Sequence, residues 1–362
     1  MVAVVLPPRE GFGPGRTGAI GLIVQRLAAA PDARTVVIGG AKAGPPFADV
    51  AFLAARPPFW LPGNVNIRYA AGVARVLRPL APALVEVHNR PEIALSLARR
   101  LPRTPVSLFL HNDPQAMRGA RSADGRAALL QQLAGVCTVS NYLRDRLLDG
   151  IDTPARQPSV LPNSIDLAAL SPAVDRTPDI LFVGRVVPDK APDAFVAACG
   201  VALGKLPGWR ATVIGADRSR ADSPDTPFVR AVRGAAAKAG VTLAGYRDHQ
   251  AVLAAMASAS IVVVPSRWQE PFGLTALEAI ASGAALICSP RGGLPEVAGD
   301  AAVYVDPDDT PALAAAIVSL AQDDNRRRDL ADAGRARARQ FDLPVAMAHL
   351  AALRQAILAP GG

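Results

Sequence analysis

The feature that most constrains this chain is a recurring unit: a short, continuously apolar run, then a longer segment rich in Ala, Leu and Arg. In the first half the runs are Val2–Leu6, Thr35–Gly39, Leu84–Val87, Val106–Leu110 and Val136–Val139. They begin again as Ile180–Val183, Ala211–Ile214, Thr242–Ala244, Ile261–Val264, Ala285–Cys288 and Ala302–Val305. Continuous apolar runs suit parallel strands covered by helices on both faces. Repeated strand–helix units specify an open, doubly wound α/β sheet of the Rossmann kind. About ten such units overfill one typical sheet, and 362 residues suffice for two domains. The pattern restarts after a polar, proline-punctuated stretch, Pro162 to Pro178, which contains Pro172 and Asp175 and reads as a linker. The expected organisation is one Rossmann-like domain over 1–170, a second over 171–340, and a C-terminal helix in 341–362 that packs back towards the first. Two such domains facing each other would form a cleft at the carboxyl ends of their strands, where ligands of these sheets bind.

Composition narrows the class. Half of the residues are hydrophobic and 19% are charged, which excludes a disordered chain. The opening apolar run is too short for a signal peptide and lacks a basic lead-in. No stretch reaches the ~20 apolar residues that span a bilayer; Ala251 to Pro265 reads as a helix followed by a strand. Cys137, Cys199 and Cys288 are widely spaced and form no CxxC pair, which suggests a reducing compartment and no zinc site. A cytoplasmic protein is therefore expected. The net charge of +8 lies in one half: residues 1–170 hold 19 Arg/Lys against 11 Asp/Glu, and residues 171–362 hold 20 against 20. Only four of the 39 cations are lysine, a bias a GC-rich genome would produce, but such a bias should affect both halves alike. The basic half could attract anionic lipid on the inner membrane face, or a lipid-phosphate acceptor.

One segment carries most of the chemistry. Pro265-Ser266-Arg267-Trp268-Gln269-Glu270-Pro271-Phe272-Gly273-Leu274-Thr275-Ala276-Leu277-Glu278-Ala279 directly follows the run Ile261–Val264. Glu270 falls in a loop, and Glu278 falls inside a helix expected to start near Phe272. Free N–H groups around Phe272–Leu274 would form the positive end of that helix, a fit for a diphosphate. Gly273 admits close approach of a ligand to the backbone. A structural use of the same residues is also open, since Thr275 to Glu278 matches a capping box.

This segment resembles the signature of the family-4 retaining glycosyltransferases of the GT-B fold: Glu, seven residues, Glu, with Pro-Phe-Gly after the first. The resemblance implies that Glu270 holds donor-sugar hydroxyls and Glu278 the ribose, with Pro271, Phe272, Gly273 and Leu274 lining the sugar and phosphate site. Gly184-Arg185 and Lys190 resemble the family's Gly-Arg…Lys element, in which Arg185 and Lys190 neutralise the diphosphate in place of a metal. Gly292-Gly293-Leu294-Pro295-Glu296 resembles its Gly-Gly-x-Pro-Glu loop. Val139-Ser140-Asn141 and Pro162-Asn163-Ser164-Ile165-Asp166 resemble the segments closing the first domain, with Ser164 where the family usually has glycine. The implied activity is transfer of a sugar, with retention, from a UDP- or GDP-linked donor to a saccharide or lipid-linked acceptor in cell-surface polysaccharide or lipopolysaccharide synthesis. No cofactor and no metal are expected.

The first half also contains two traps and two candidates. Gly13-Pro14-Gly15-Arg16-Thr17-Gly18 spells GxGxxG, yet six residues separate it from Leu6, and the run ending Gly39-Gly40 lacks the acidic ribose ligand. A dinucleotide site is not expected; the resemblance places Gly18 beside the donor phosphates instead. Asp306-Pro307-Asp308 imitates a metal-binding DxD but reads as a turn and helix cap. His88 and His111 both follow apolar runs, and the resemblance puts His111 beside the transferred sugar, in a catalytic role with Glu270, Arg185 and Lys190. Rival readings are a nucleotide-sugar epimerase or hydrolase of the same fold, and a silent sugar-nucleotide-binding module. Nothing resembles an RRM, KH or helix-turn-helix pattern, so no nucleic-acid partner is expected.

Overall fold

A computed structural model describes residues 1–15, 17–29, 34–40, 44–170, 175–218, 220 and 222–359. Arg16 of the glycine-rich loop and Pro172 of the expected linker lie outside the described residues. The strands are β1 (Val2–Val5), β2 (Thr35–Gly40), β3 (Ala51–Ala55), β4 (Leu84–His88), β5 (Val106–Leu110), β6 (Gly135–Thr138), β7 (Ser159–Val160), β8 (Thr177–Val183), β9 (Arg210–Ile214), β10 (Val241–Gly245), β11 (Ala259–Val264), β12 (Ala285–Cys288) and β13 (Ala302–Tyr304). They form a seven-stranded sheet, β3-β2-β1-β4-β5-β6-β7, and a six-stranded sheet, β10-β9-β8-β11-β12-β13. All pairings are parallel.

The apolar runs find the place their composition demands. Every residue of β4, β5, β11 and β12 is buried, as in strands covered on both faces. Strand order reverses between β1 and β4 in one sheet and between β8 and β11 in the other. Each reversal opens a crevice at the carboxyl ends of its strands, the usual ligand position of such sheets. Strands β3 and β7 were not foreseen. β3 is a largely exposed edge strand of sequence Ala-Phe-Leu-Ala-Ala, and β7 is two residues long.

The chain divides into two compact units, Met1–Ser164 with Leu343–Gly362, and Ile165–Asp342. The passage falls at Ser164–Ile165, a few residues before the expected 170, because the segment after it is bonded to the second unit's own C-terminal end. Ile165 pairs with Asp342 in a parallel bridge and donates its N–H to the Phe341 carbonyl at 2.9 Å. Asp342 also accepts from the Leu167 N–H at 3.2 Å. Ser164 is not among the residues of positive φ, so serine here incurs none of the strain that would call for glycine.

The last helix, Leu343–Leu358, packs within the first unit. Leu350 joins Phe109, Cys137 and Leu161 in an apolar cluster. Arg354 donates twice to Glu86 of β4, at 2.8 and 2.7 Å, and Glu86 is only 2% exposed. Among the described residues no helix is long and apolar enough to cross a membrane.

Candidate functional site

The second unit assembles the candidate donor site at the β8/β11 reversal. The short turn Pro188–Lys190 after β8 and the loop after β11 are joined through one acceptor, the Asp189 carbonyl. It receives the N–H groups of Arg267 (2.9 Å) and Trp268 (3.1 Å) and the hydroxyl of Ser266 (3.1 Å). This junction brings Lys190 to Glu270: the ammonium pairs with the Glu270 carboxylate and stands 5.0 Å over the Trp268 ring. Ser266 donates to the same carboxylate oxygen, Oε1, at 2.7 Å. Glu270 is thus buried but compensated by one cation and one hydroxyl, as a buried carboxylate must be.

Glycine fixes the backbone around it. Gly292 has φ 61°, and a Cβ there would lie 2.2 Å from the Glu270 carbonyl oxygen. Gly293 donates its N–H to that same oxygen at 2.7 Å, so the Gly-Gly pair is what lets the two loops touch. Gly184 and Gly215 make a second close approach, since a Cβ on Gly215 would meet the Gly184 carbonyl at 1.8 Å.

The helix after Pro-Phe-Gly runs from Leu274 to Ala281, two residues later than expected, with Gly273 (φ 109°) as its N-cap. No side chain caps it, so the N–H groups of its first turn remain available to an anion. The capping-box possibility is excluded, because Thr275 lies inside the helix. Glu278 instead accepts from His249 Nε2 at 2.7 Å, which places a hydrogen on that ring nitrogen. The ring of Phe272 is buried edge-on against Phe341, with centroids 5.7 Å apart. That packing leaves the Phe272 backbone, the part the expected anion site calls on, at the start of the helix. Arg185 is exposed and has no hydrogen-bond or ionic partner among the described residues.

The DxD imitation has protein partners. Asp306 and Asp308 bind Arg291 at 3.0 and 3.4 Å, Asp308 also binds Arg267 at 2.6 Å, and Asp309 caps the helix Thr310–Gln322. Arg267 is held further by Asp193 at 2.8 Å.

In the first unit, Gly18 ends the glycine-rich loop and caps the helix Ala19–Ala28. A Cβ on Gly18 would strike the Glu10 carboxylate at 2.6 Å, and the same carboxylate accepts from the Gly21 N–H at 3.3 Å. An acidic side chain, therefore, sits at this helix start where the resemblance implies donor phosphates. His111 at the end of β5 is buried, and its Nε2 lies 2.8 Å from His88 Nδ1. The His111 N–H donates to Asn89 Oδ1 at 3.1 Å, with Asn89 in a left-handed conformation (φ 58°). His88 stacks on Phe109 with ring centroids 5.0 Å apart. Burial pushes the His111 pKa down to about 4. His88 is pushed well below its ordinary value by burial, by His111 and by Arg354. Both rings are thus neutral at pH 7. Sequence reasoning did not pair His88 with His111, His249 with Glu278, or Glu86 with Arg354, contacts between distant segments without a local motif; it also missed Ser266 with Glu270, a contact within one loop.

Residues 20–169 match the family described as Glycosyltransferase Family 4, and residues 169–337 match Glycosyl transferases group 1. The chain is 31% identical over 220 residues to a glycogen synthase of Mycobacterium tuberculosis, covering 58% of this chain and 50% of that one. It thus spans about half the length of the curated relatives it matches. Sucrose-phosphate synthase from Thermosynechococcus elongatus superposes with a TM-score of 0.75 at 20% identity, over 98% of both chains. Anabaena Alr3699/HepE in complex with UDP and glucose gives 0.74 at 18% identity, over 97% of this chain and 98% of that one. The two parallel sheets, the Glu270–Glu278 segment between its glycine loops, and matches that together run from residue 20 to 337 converge: the chain belongs to the family-4 glycosyltransferases of the GT-B fold.

Proposed function

We propose that this protein is a retaining glycosyltransferase that takes a sugar from a UDP- or GDP-linked donor and passes it to a saccharide or lipid-linked acceptor in cell-surface polysaccharide synthesis. The observation that carries the reading is the set of groups at the β8/β11 reversal: buried Glu270 tied to Lys190, unpartnered Arg185, and an uncapped helix start at Gly273. Arg185, Lys190 and the helix N-terminus would stabilise the leaving diphosphate without a metal. Glu270 would hold sugar hydroxyls, and Glu278, steadied by His249, the ribose. The bond from the anomeric carbon to the diphosphate breaks as the bond to the acceptor oxygen forms. The acceptor proton passes to the departing phosphate oxygen on the same face, so no protein nucleophile is required. Binding of UDP and glucose by a protein of the same fold supports a nucleotide-sugar donor.

The acceptor side has its own supporting observation. Phe59 and Trp60 are 88% and 67% exposed in the segment Arg56–Gly63, beside exposed Arg56. Two bare aromatic rings next to a cation suit the interface of an anionic membrane, consistent with the basic first half.

The test is calorimetry of UDP, GDP and ADP in EDTA, on the wild type and Glu278→Ala. Micromolar binding of one nucleotide, weakened about tenfold or more by the substitution, supports the donor site. Folded protein that binds none of them would overturn it, and free sugar as the main product would favour a hydrolase.

A further inference from the structure

Behind His111 lies a buried polar chain with no part in the reading above. Glu86 and His88 are two residues apart on β4 and so share one face of the strand. Both line a cavity of about 10 Å³ together with Arg354, Phe109 and Leu350, room for about one water. Arg354 holds Glu86 through two hydrogen bonds, at 2.8 and 2.7 Å, which fixes the carboxylate as an anion-type acceptor. His88 Nδ1 meets His111 Nε2 at 2.8 Å, and His111 Nδ1 is buried without a partner.

We infer that His88, backed by Glu86 and Arg354, is a positioning residue that sets the tautomer of His111 and leaves His111 Nδ1 as a bare hydrogen-bond acceptor. The Glu86 carboxylate, which accepts only, lines the same cavity as His88 and favours the hydrogen on the His88 nitrogen not engaged with His111, Nε2. A neutral ring has one hydrogen, so His88 Nδ1 then accepts. His111 Nε2 must be the donor to it, and His111 Nδ1 is left with its lone pair. The opposite polarity would strand a buried N–H on His111, the costlier orphan. Neutral rings, favoured by burial, keep the count consistent. A group meeting His111 at Nδ1 must therefore donate a hydrogen, as a hydroxyl does, rather than accept one, as a phosphate oxygen does. The functional half of this inference rests on His111 belonging to the transfer site; the tautomer does not.

Nitrogen NMR on full-length protein with labelled histidine separates the two. The chain has four histidines, so His111 is assigned by its loss in His111→Asn. The expected wild-type spectrum shows His111 protonated on Nε2 and bare on Nδ1. His88→Asn keeps a polar atom near Nδ1 and should retain that state. His88→Phe keeps the stack on Phe109 but removes the acceptor, and should release the His111 tautomer. Glu86→Gln with Arg354→Met, which removes both charges together, should shift the tautomer mixture as well. In transfer assays His88→Phe should lower kcat tenfold or more with little change in KM, and His88→Asn should recover part of it. A wild-type His111 protonated on Nδ1, or a tautomer unmoved by His88→Phe, would overturn the inference. If the tautomer behaves as stated but His111→Asn transfers sugar normally, His111 is not a site residue, and the reading of the first unit fails instead.

Discussion

The two units treat buried charge and polarity in different ways. In the second, the candidate site is ionic and reaches the surface: buried Glu270 with Lys190, Glu278 with His249, Arg267 with Asp193 and Asp308, and exposed Arg185 without a partner among the described residues. In the first, it is neutral and deep: two uncharged histidines, with a buried ion pair, Glu86–Arg354, placed behind them. A leaving diphosphate needs cations at hand, which the second unit supplies from loops. An oriented imidazole needs exclusion of water and a fixed partner, which the first supplies from strands and a helix. Changes at the exposed cations of the second unit, Arg185 foremost, should therefore leave stability alone, whereas those behind the histidines should not.

The largest effect is expected at Arg354. Arg354→Ala strands the Glu86 carboxylate, 2% exposed, without its cation, and should lower unfolding free energy by about 3–5 kcal/mol in urea denaturation. A loss below about 1 kcal/mol would mean that the pair contributes little and that the contrast between the units is overstated. Next comes Arg185→Ala in the other unit. Transfer should slow by about 10²-fold, while the exposed, unpartnered position keeps stability within about 0.5 kcal/mol. Equal damage to both quantities would erase the distinction.

The smallest effect is acid loss of stability. A histidine with a folded pKa depressed to about 4 binds its proton more readily in the unfolded chain. Its stabilising contribution is complete above the unfolded value near 6.5 and is lost as pH falls towards 4. Between pH 7.5 and pH 5 the loss from His111 comes to about 2 kcal/mol, and His88 acts in the same direction. Urea titrations at the two pH values measure it, and His111→Asn should remove its share. Stability flat from pH 7.5 to 5 in the wild type would show that the rings titrate normally.

This contrast also explains what could be read from the sequence. The buried strands announced themselves because parallel strands need apolar residues on both faces, and the donor segment did so because Glu270, Gly273 and Glu278 fall within one short stretch. Gly292 and Gly293 are needed where one loop rests on another's carbonyl, a requirement that leaves a compact mark. β3 escaped notice because this edge strand packs only Phe52 and Ala55 against buried residues and leaves Ala51, Leu53 and Ala54 exposed, which is no continuous apolar signal. The histidine pair escaped because residues 88 and 111 meet only through strand pairing. The packing of Phe272 was not legible for a related reason: nothing local to Pro-Phe-Gly tells that its ring turns towards Phe341.

The return of Leu343–Leu358 to the first unit has a consequence for how the protein is made. A ribosome delivers β1 to β7 long before residue 354. Until then Glu86 faces a core with no guanidinium, and Phe109, Cys137 and Leu161 lack Leu350. The second unit, by contrast, has all its partners once Asp342 has emerged. The half that begins the chain is thus the half that finishes folding last, waiting with an incomplete interior for the final helix to leave the tunnel.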